Sequence, residues 1–144
     1  MAGIENITLQ HGTLKFSALT VGSGPLVLCL HGFPDNAHSW RHQLPVLAAA
    51  GYRTVAVTLR GYEPASQPAD GDYSLRTLAR DVIAIIDELG EQKAHLIGHD
   101  WGAGIAYTAG AIAPDRLLSL STLAVPHPGR FLNAHWLNPA YLVP

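Results

Sequence analysis

The chain has 144 residues, of which 48% are hydrophobic and 14% charged, with a formal net charge of −2. That length suits one domain with a real core and is short for a large α/β enzyme. No run of like charges appears, which excludes the electrostatic footprint of nucleic-acid or acidic-membrane binding.

Cys29 is the single cysteine. It sits in the apolar run LVLCL, which predicts a buried thiol and excludes a disulfide within the chain. The N-terminal MAGIENITLQHG has neither the basic nor the apolar region of a secretory signal. No stretch approaches the roughly 18 apolar residues of a membrane span. The expectation is a soluble, cytoplasmic protein.

Residues 4–21 hold two alternating segments, IENITLQ and TLKFSALTV, split by His11-Gly12. This predicts an antiparallel hairpin at a sheet edge. GSGP turns the chain into LVLCL, a continuous apolar strand of the kind buried on both faces. A helix is expected from about Ser39, with Trp40, Leu44 and Leu47 on one face and Gly51 ending it. RTVAVTL reads as the next strand and RGYEPASQPADGDYS as a loop. Ser74 is placed to cap a helix whose apolar stripe is Leu78, Val82, Ile85, Ile86 and Leu89. Its charged positions, Arg76, Arg80, Asp81, Asp87 and Glu88, read as a solvated face. KAHLIGH is a strand, WGAGIAYTAGAIA a helix and RLLSLSTLAV a further strand, with Pro114 separating the last two.

A hairpin followed by β-α-β-α-β-α-β predicts an α/β fold with a mostly parallel sheet and helices on both faces. Residues 1–125 are expected to form the N-terminal part of this core. Residues 126–144, PHPGRFLNAHWLNPAYLVP, have four prolines and no period. They read as an exit loop and the start of another region.

Two motifs carry chemistry. HLIGHDWGAGIAY, residues 95–107, contains Gly98-x-Asp100-x-Gly102, the glycine spacing of a strand-to-helix elbow that usually presents a serine. Here the raised position holds a carboxylate at a helix N-terminus, where the macrodipole favours its ionised form. A plain N-cap aspartate would look the same. LCLHGFPD places His31-Gly32-Phe33-Pro34 between a buried strand and a helix. In an elbow fold, that loop supplies one of two backbone N–H donors for a developing oxyanion, and the residue after the nucleophile supplies the other. Those donors are the amides of Phe33 and Trp101.

With LRGY between them, HGFPD…SWRHQ and GHDWGA resemble the epoxide hydrolase branch of the α/β-hydrolase superfamily over residues 12 to 130. The resemblance implies Asp100 as nucleophile, Phe33 and Trp101 as oxyanion hole, His31 as a structural residue, and neither metal nor organic cofactor. It implies a small-molecule epoxide as substrate and PHPGRF as the exit toward a helical cap. Ala37 and His38 depart from the aromatic residues common in relatives, and Thr58 stands where Asp is usual. The resemblance also puts the general-base histidine, its acidic partner and the cap tyrosines beyond Pro144, so the isolated 144-residue chain is expected to be incomplete for turnover and self-associating.

Among the histidines, His99 is expected to be packed behind Asp100, and His127 and His135 to be surface or cap-contacting. His11, His38, His42 and His95 have no supporting acid spacing, and His38-x-x-x-His42 lacks a third ligand. Gly22-x-Gly24 is too short for a dinucleotide fingerprint. An aspartate nucleophile suits ring opening of an epoxide through an alkyl ester. A haloalkane or haloacid dehalogenase would use the same residue, and a non-catalytic hydrolase fragment would use none.

Overall fold

A computed structural model describes residues 3–130 of the chain. Strands β1 (Glu5–His11) and β2 (Leu14–Val21) pair antiparallel about a turn in which Gly12 takes a φ of 60°. β2 lies antiparallel to β4 (Arg53–Val57), whereas β3 (Leu26–Leu30) is parallel to β4 and to β5 (Ala94–His99). β6 (Leu117–Leu123) runs parallel to β5, so the six strands lie in the order β1-β2-β4-β3-β5-β6. The expected hairpin at one edge and parallel strands beyond it are both present.

The continuous apolar pattern of β3 follows from cores on both faces. Leu26, Leu28 and Leu30 enter the larger core with Val82, Ile85 and Ile86 of α2 (Leu75–Glu88) and Ile105 and Ala106 of α3 (Trp101–Ile112). Val27 and Cys29 point the other way, onto Trp40 and onto Leu44 of α1 (Gln43–Ala49). Each fully buried leucine contributes about 1.5–3 kcal/mol. Burial pushes the Cys29 thiol up to about 12. Ser74 caps α2 as expected, its Oγ accepting from the Thr77 N–H at 3.3 Å. No helix among the described residues is long and apolar enough to cross a membrane.

β6 ends the sheet, with Leu118, Leu120 and Leu123 exposed. α2 and α3 cover one face, and α1 covers the other over β2, β3 and β4. On the α1 side of β5, Ile97 packs against the second core and His95 meets Tyr52 edge-on at 5.5 Å, whereas His99, at the end of the strand in register with Leu123, is exposed.

Two local expectations are corrected. The helix expected from Ser39 is instead a 3-10 turn over Ala37–Trp40 followed by α1 from Gln43. Pro45 is the reason. Deep inside a longer helix it would leave the Arg41 carbonyl without a donor and press its ring on that carbonyl. In the first turn of α1 no N–H is needed there.

Asp81 is the second correction. Arg76, Arg80, Asp87 and Glu88 are exposed as expected, but Asp81 is 4% exposed. Its Oδ2 accepts from Arg60 Nε at 2.6 Å, and its Oδ1 accepts from Arg60 Nη2 at 2.7 Å and from His11 Nδ1 at 2.8 Å. The cluster ties the first hairpin, the loop after β4 and α2 together. Removing one partner of a buried pair strands the other charge. Asp81→Ala is therefore expected to lower the unfolding free energy by about 3–5 kcal/mol in urea denaturation. The loss expected for Asp87→Ala, at an exposed ion pair, is about 1 kcal/mol or less.

Candidate active site

β5 meets α3 at Asp100, whose φ of 56° and ψ of −121° are unfavourable for a residue with a Cβ. Such a conformation costs of order 1–3 kcal/mol and persists only where neighbours fix it. Here the Asp100 N–H donates to the Leu123 carbonyl at 3.2 Å, tying the turn to the end of β6. The strand and helix on either side also approach too closely for side chains. A Cβ on Gly98 would overlap the Gly102 carbonyl, and one on Gly102 would overlap the carbonyls of Leu30 and His31.

Two backbone donors converge on the side chain so raised. The Phe33 N–H reaches Asp100 Oδ2 at 3.1 Å and the Trp101 N–H reaches the same oxygen at 2.7 Å. Among the described residues, Oδ1 accepts no hydrogen bond. The Phe33 and then the Trp101 hydrogen bonds hold the carboxyl below the usual carboxylate range, with a weaker pull from His99 and an opposing push from burial. Gly32 makes the approach possible, since a Cβ there would collide with the Asp100 side chain. The three residues expected to form the site are thus together. The rings of Phe33 and Trp101 stand 70% and 55% exposed around the carboxylate.

His31 fixes the loop that carries Phe33. Its Nδ1–H donates to the Gly32 carbonyl at 2.8 Å, and its Nε2 accepts the Leu59 N–H at 3.0 Å. Those two bonds require the neutral ring. Burial lowers the His31 pKa, outweighing the Gly32 hydrogen bond and the Asp35 charge. Thr58 anchors the next part of the loop, its Oγ1 accepting the Ala37 N–H at 3.2 Å.

The other histidines do not reach the carboxylate. His99, at the end of β5 past the packed Ile97, is exposed rather than packed, and it lines a separate cavity of about 360 Å3 with Asp35, Ser39 and Trp40. His127 is exposed and meets Tyr107 edge-on at 5.1 Å, and His135 lies outside the described residues. His95 bonds Ser119 Oγ at 2.7 Å, and His11, expected to have no acid partner, holds Asp81. His38 and His42 are exposed, and no group of three potential metal ligands occurs among the described residues. Sequence reasoning missed Tyr62 and Tyr73, which the loop after β4 brings beside Trp101. Their signal was position alone, in a loop at the carboxyl end of a parallel strand.

The neutral His31 makes the fold sensitive to acid. Below about pH 6.5 the unfolded chain takes up a proton at this ring, whereas the native ring, with its lowered pKa, does not. Stability is therefore full above that pH and falls as the pH drops toward the native pKa. Between pH 7.5 and 5.5, the urea midpoint of the wild type should fall further than that of His31→Gln. Equal falls would remove His31 as the acid-sensitive group.

The alpha/beta hydrolase fold family matches residues 25–144. Epoxide hydrolase 3 of Siraitia grosvenorii is 44% identical over 126 residues, covering 87% of this chain and 40% of the relative. Epoxide hydrolase B of Mycobacterium tuberculosis is 45% identical over 108 residues, covering 74% of this chain and 30% of the relative. The solved structure of an epoxide hydrolase from an endophytic Streptomyces superimposes with a TM-score of 0.83 at 39% identity, covering 88% of this chain and 39% of that one. The chain thus spans two fifths or less of the length of these relatives. With the sheet order, the turn at Asp100 and the match over residues 25–144, the chain belongs to the α/β-hydrolase fold family, and within it resembles the epoxide hydrolases.

Proposed function

We propose that this chain is the nucleophile-bearing part of an epoxide hydrolase and that Asp100 opens the epoxide ring. The observation that carries this reading is the unequal treatment of the two carboxylate oxygens. Oδ2 is held by two N–H groups, and Oδ1 accepts no hydrogen bond from the described residues. A carboxylate held this way stays ionised and has one oxygen free to attack.

In the proposed first step, Oδ1 forms a bond to an epoxide carbon and the carbon–oxygen bond of the ring breaks. The electron pair leaves on the epoxide oxygen, which takes up a proton. In the second step, water adds to the carboxyl carbon of the resulting ester and Oδ2 becomes an oxyanion. The Phe33 and Trp101 amides already point at that atom, and donors so placed are each worth about 10²–10³ in rate. Collapse releases the diol with the former Oδ1 and leaves the water oxygen in Asp100. The reading needs no cofactor. It assigns the proton donor and the water-activating base to chain outside the described residues.

The test is intact-mass analysis after exposure to a terminal epoxide. Gain of one epoxide mass, mapped to Asp100, is the expected result. Asp100→Ala should slow adduct formation by about 10⁴-fold or more, as loss of a catalytic nucleophile does. Because its pKa is lowered, the carboxylate should react at a constant rate from pH 8 down to 5. A decline is expected only below the ordinary aspartate value of about 3.9. An adduct that persists in Asp100→Ala, or maps elsewhere, would overturn the assignment.

A further inference from the structure

The N–H of Asp100 donates to the Leu123 carbonyl, so the turn after β6 fixes the backbone beneath the carboxylate. That turn is itself strained. Ala124 takes a φ of 70°, in the left-handed region that a Cβ disfavours. A residue held there persists only where its neighbours fix it.

The neighbour is Tyr107, about two turns along α3 from Asp100. Its hydroxyl donates to the Val125 carbonyl at 3.1 Å. A phenol has a single proton to give, so the 2.7 Å contact with Thr122 Oγ1 runs from the threonine hydroxyl to the Tyr107 oxygen. One phenol oxygen thus grips the chain on both sides of Leu123 and Ala124. The ring is braced in turn by His127, edge-on at 5.1 Å. Phenylalanine would cover the same surface, so what the hydroxyl adds is the hold on the turn.

The turn also shapes the surroundings of the carboxylate. Val125 lines a cavity of about 260 Å3 together with Asp100, Trp101 and Gly104. If the turn moved, the partner of the Asp100 N–H and one wall beside the Asp100 side chain would move with it.

We propose that Tyr107 is a positioning residue for Asp100: by clamping the strained turn at Ala124, it holds the Leu123 carbonyl and Val125 in place beside the carboxylate. Its effect on ring opening rests on the reading of Asp100 as nucleophile. Its effect on the Asp100 backbone does not.

Tyr107→Phe keeps the ring and removes the clamp. In amide hydrogen exchange followed by NMR, the Asp100 N–H should exchange about tenfold faster or more relative to the N–H of Leu28, a buried residue of β3 that reports opening of the whole sheet. With propylene oxide, intact-mass analysis should show adduct formation on Asp100 slowed about tenfold to a hundredfold, as displacement of a reacting group does. Thr122→Val removes one of the two bonds, should move both readouts in the same direction, and serves if Tyr107→Phe does not fold. In either background Ala124→Gly should recover about fivefold of each loss, because glycine escapes the penalty that a Cβ carries in the left-handed region. Equal acceleration at Asp100 and Leu28 would make Tyr107 a general stabiliser and overturn the proposal, as would failure of Ala124→Gly to slow the Asp100 exchange. Selectively faster exchange at Asp100, with no adduct even in the wild type, keeps the clamp and defeats the nucleophile. Unchanged exchange with unchanged adduct formation in Tyr107→Phe defeats the clamp and leaves the nucleophile.

Discussion

Two backbone N–H groups aimed at one carboxylate oxygen are the constraint on which the rest of the structure depends. The donors come from different places, Phe33 beyond β3 and Trp101 at the start of α3. They meet because β3 and β5 are adjacent parallel strands that pair Leu30 with Gly98, so both chains leave the sheet at the same level. Parallel strands put their carboxyl ends together, and open α/β sheets bind ligands there. The remaining condition is steric. Gly32, Gly98 and Gly102 each occupy a spot where one extra carbon would strike the backbone or Asp100.

Fixed geometry of this kind needs a stiff support, and the structure provides it with buried polar ties. The His31 ring spans the loop after β3 and the backbone at Leu59. Thr58 does the same one residue earlier through Ala37. Arg60 then passes the connection to Asp81 on α2 and, through it, to His11 on the edge hairpin. Residues 58 to 60 therefore join the site to three other elements in succession. A buried hydrogen bond is costly to leave half made, so these ties restrict the arrangements open to the loops at the site.

The legible parts of the fold were those fixed by local pattern. Gly98-x-Asp100-x-Gly102 and His31-Gly32-Phe33-Pro34 are short frames whose spacing reflects a turn, and strand periodicity settled the sheet. Asp81 shows what pattern leaves out. It falls three residues after Leu78 and four before Ile85, on the edge of the buried stripe, so the sequence held a sign that its charge was not solvated. Its partners lie 21 and 70 residues away, and no local period identifies them. Pro45 was a readable breaker whose effect on the helix start was overlooked. His99, expected to pack behind Asp100, is exposed for another reason: what covers the end of a strand is a tertiary matter. Tyr62 and Tyr73 gained meaning only when the loop was placed beside Trp101.

Cys29 adds a property unrelated to the geometry of the turn. The proposed reaction would bring electrophilic small molecules near the chain's own thiol, and the thiolate is the reactive form. With its pKa raised to about 12 and its side chain sealed inside β3, Cys29 is almost wholly protonated at neutral pH. It lies one strand from Asp100, so the carboxylate proposed as nucleophile and the soft sulfur are near neighbours separated by packing. While the sheet is closed, the sulfur is silent. Once the sheet opens, it returns to an ordinary reactivity, which makes the rate of thiol labelling a clock for the opening of the central strands.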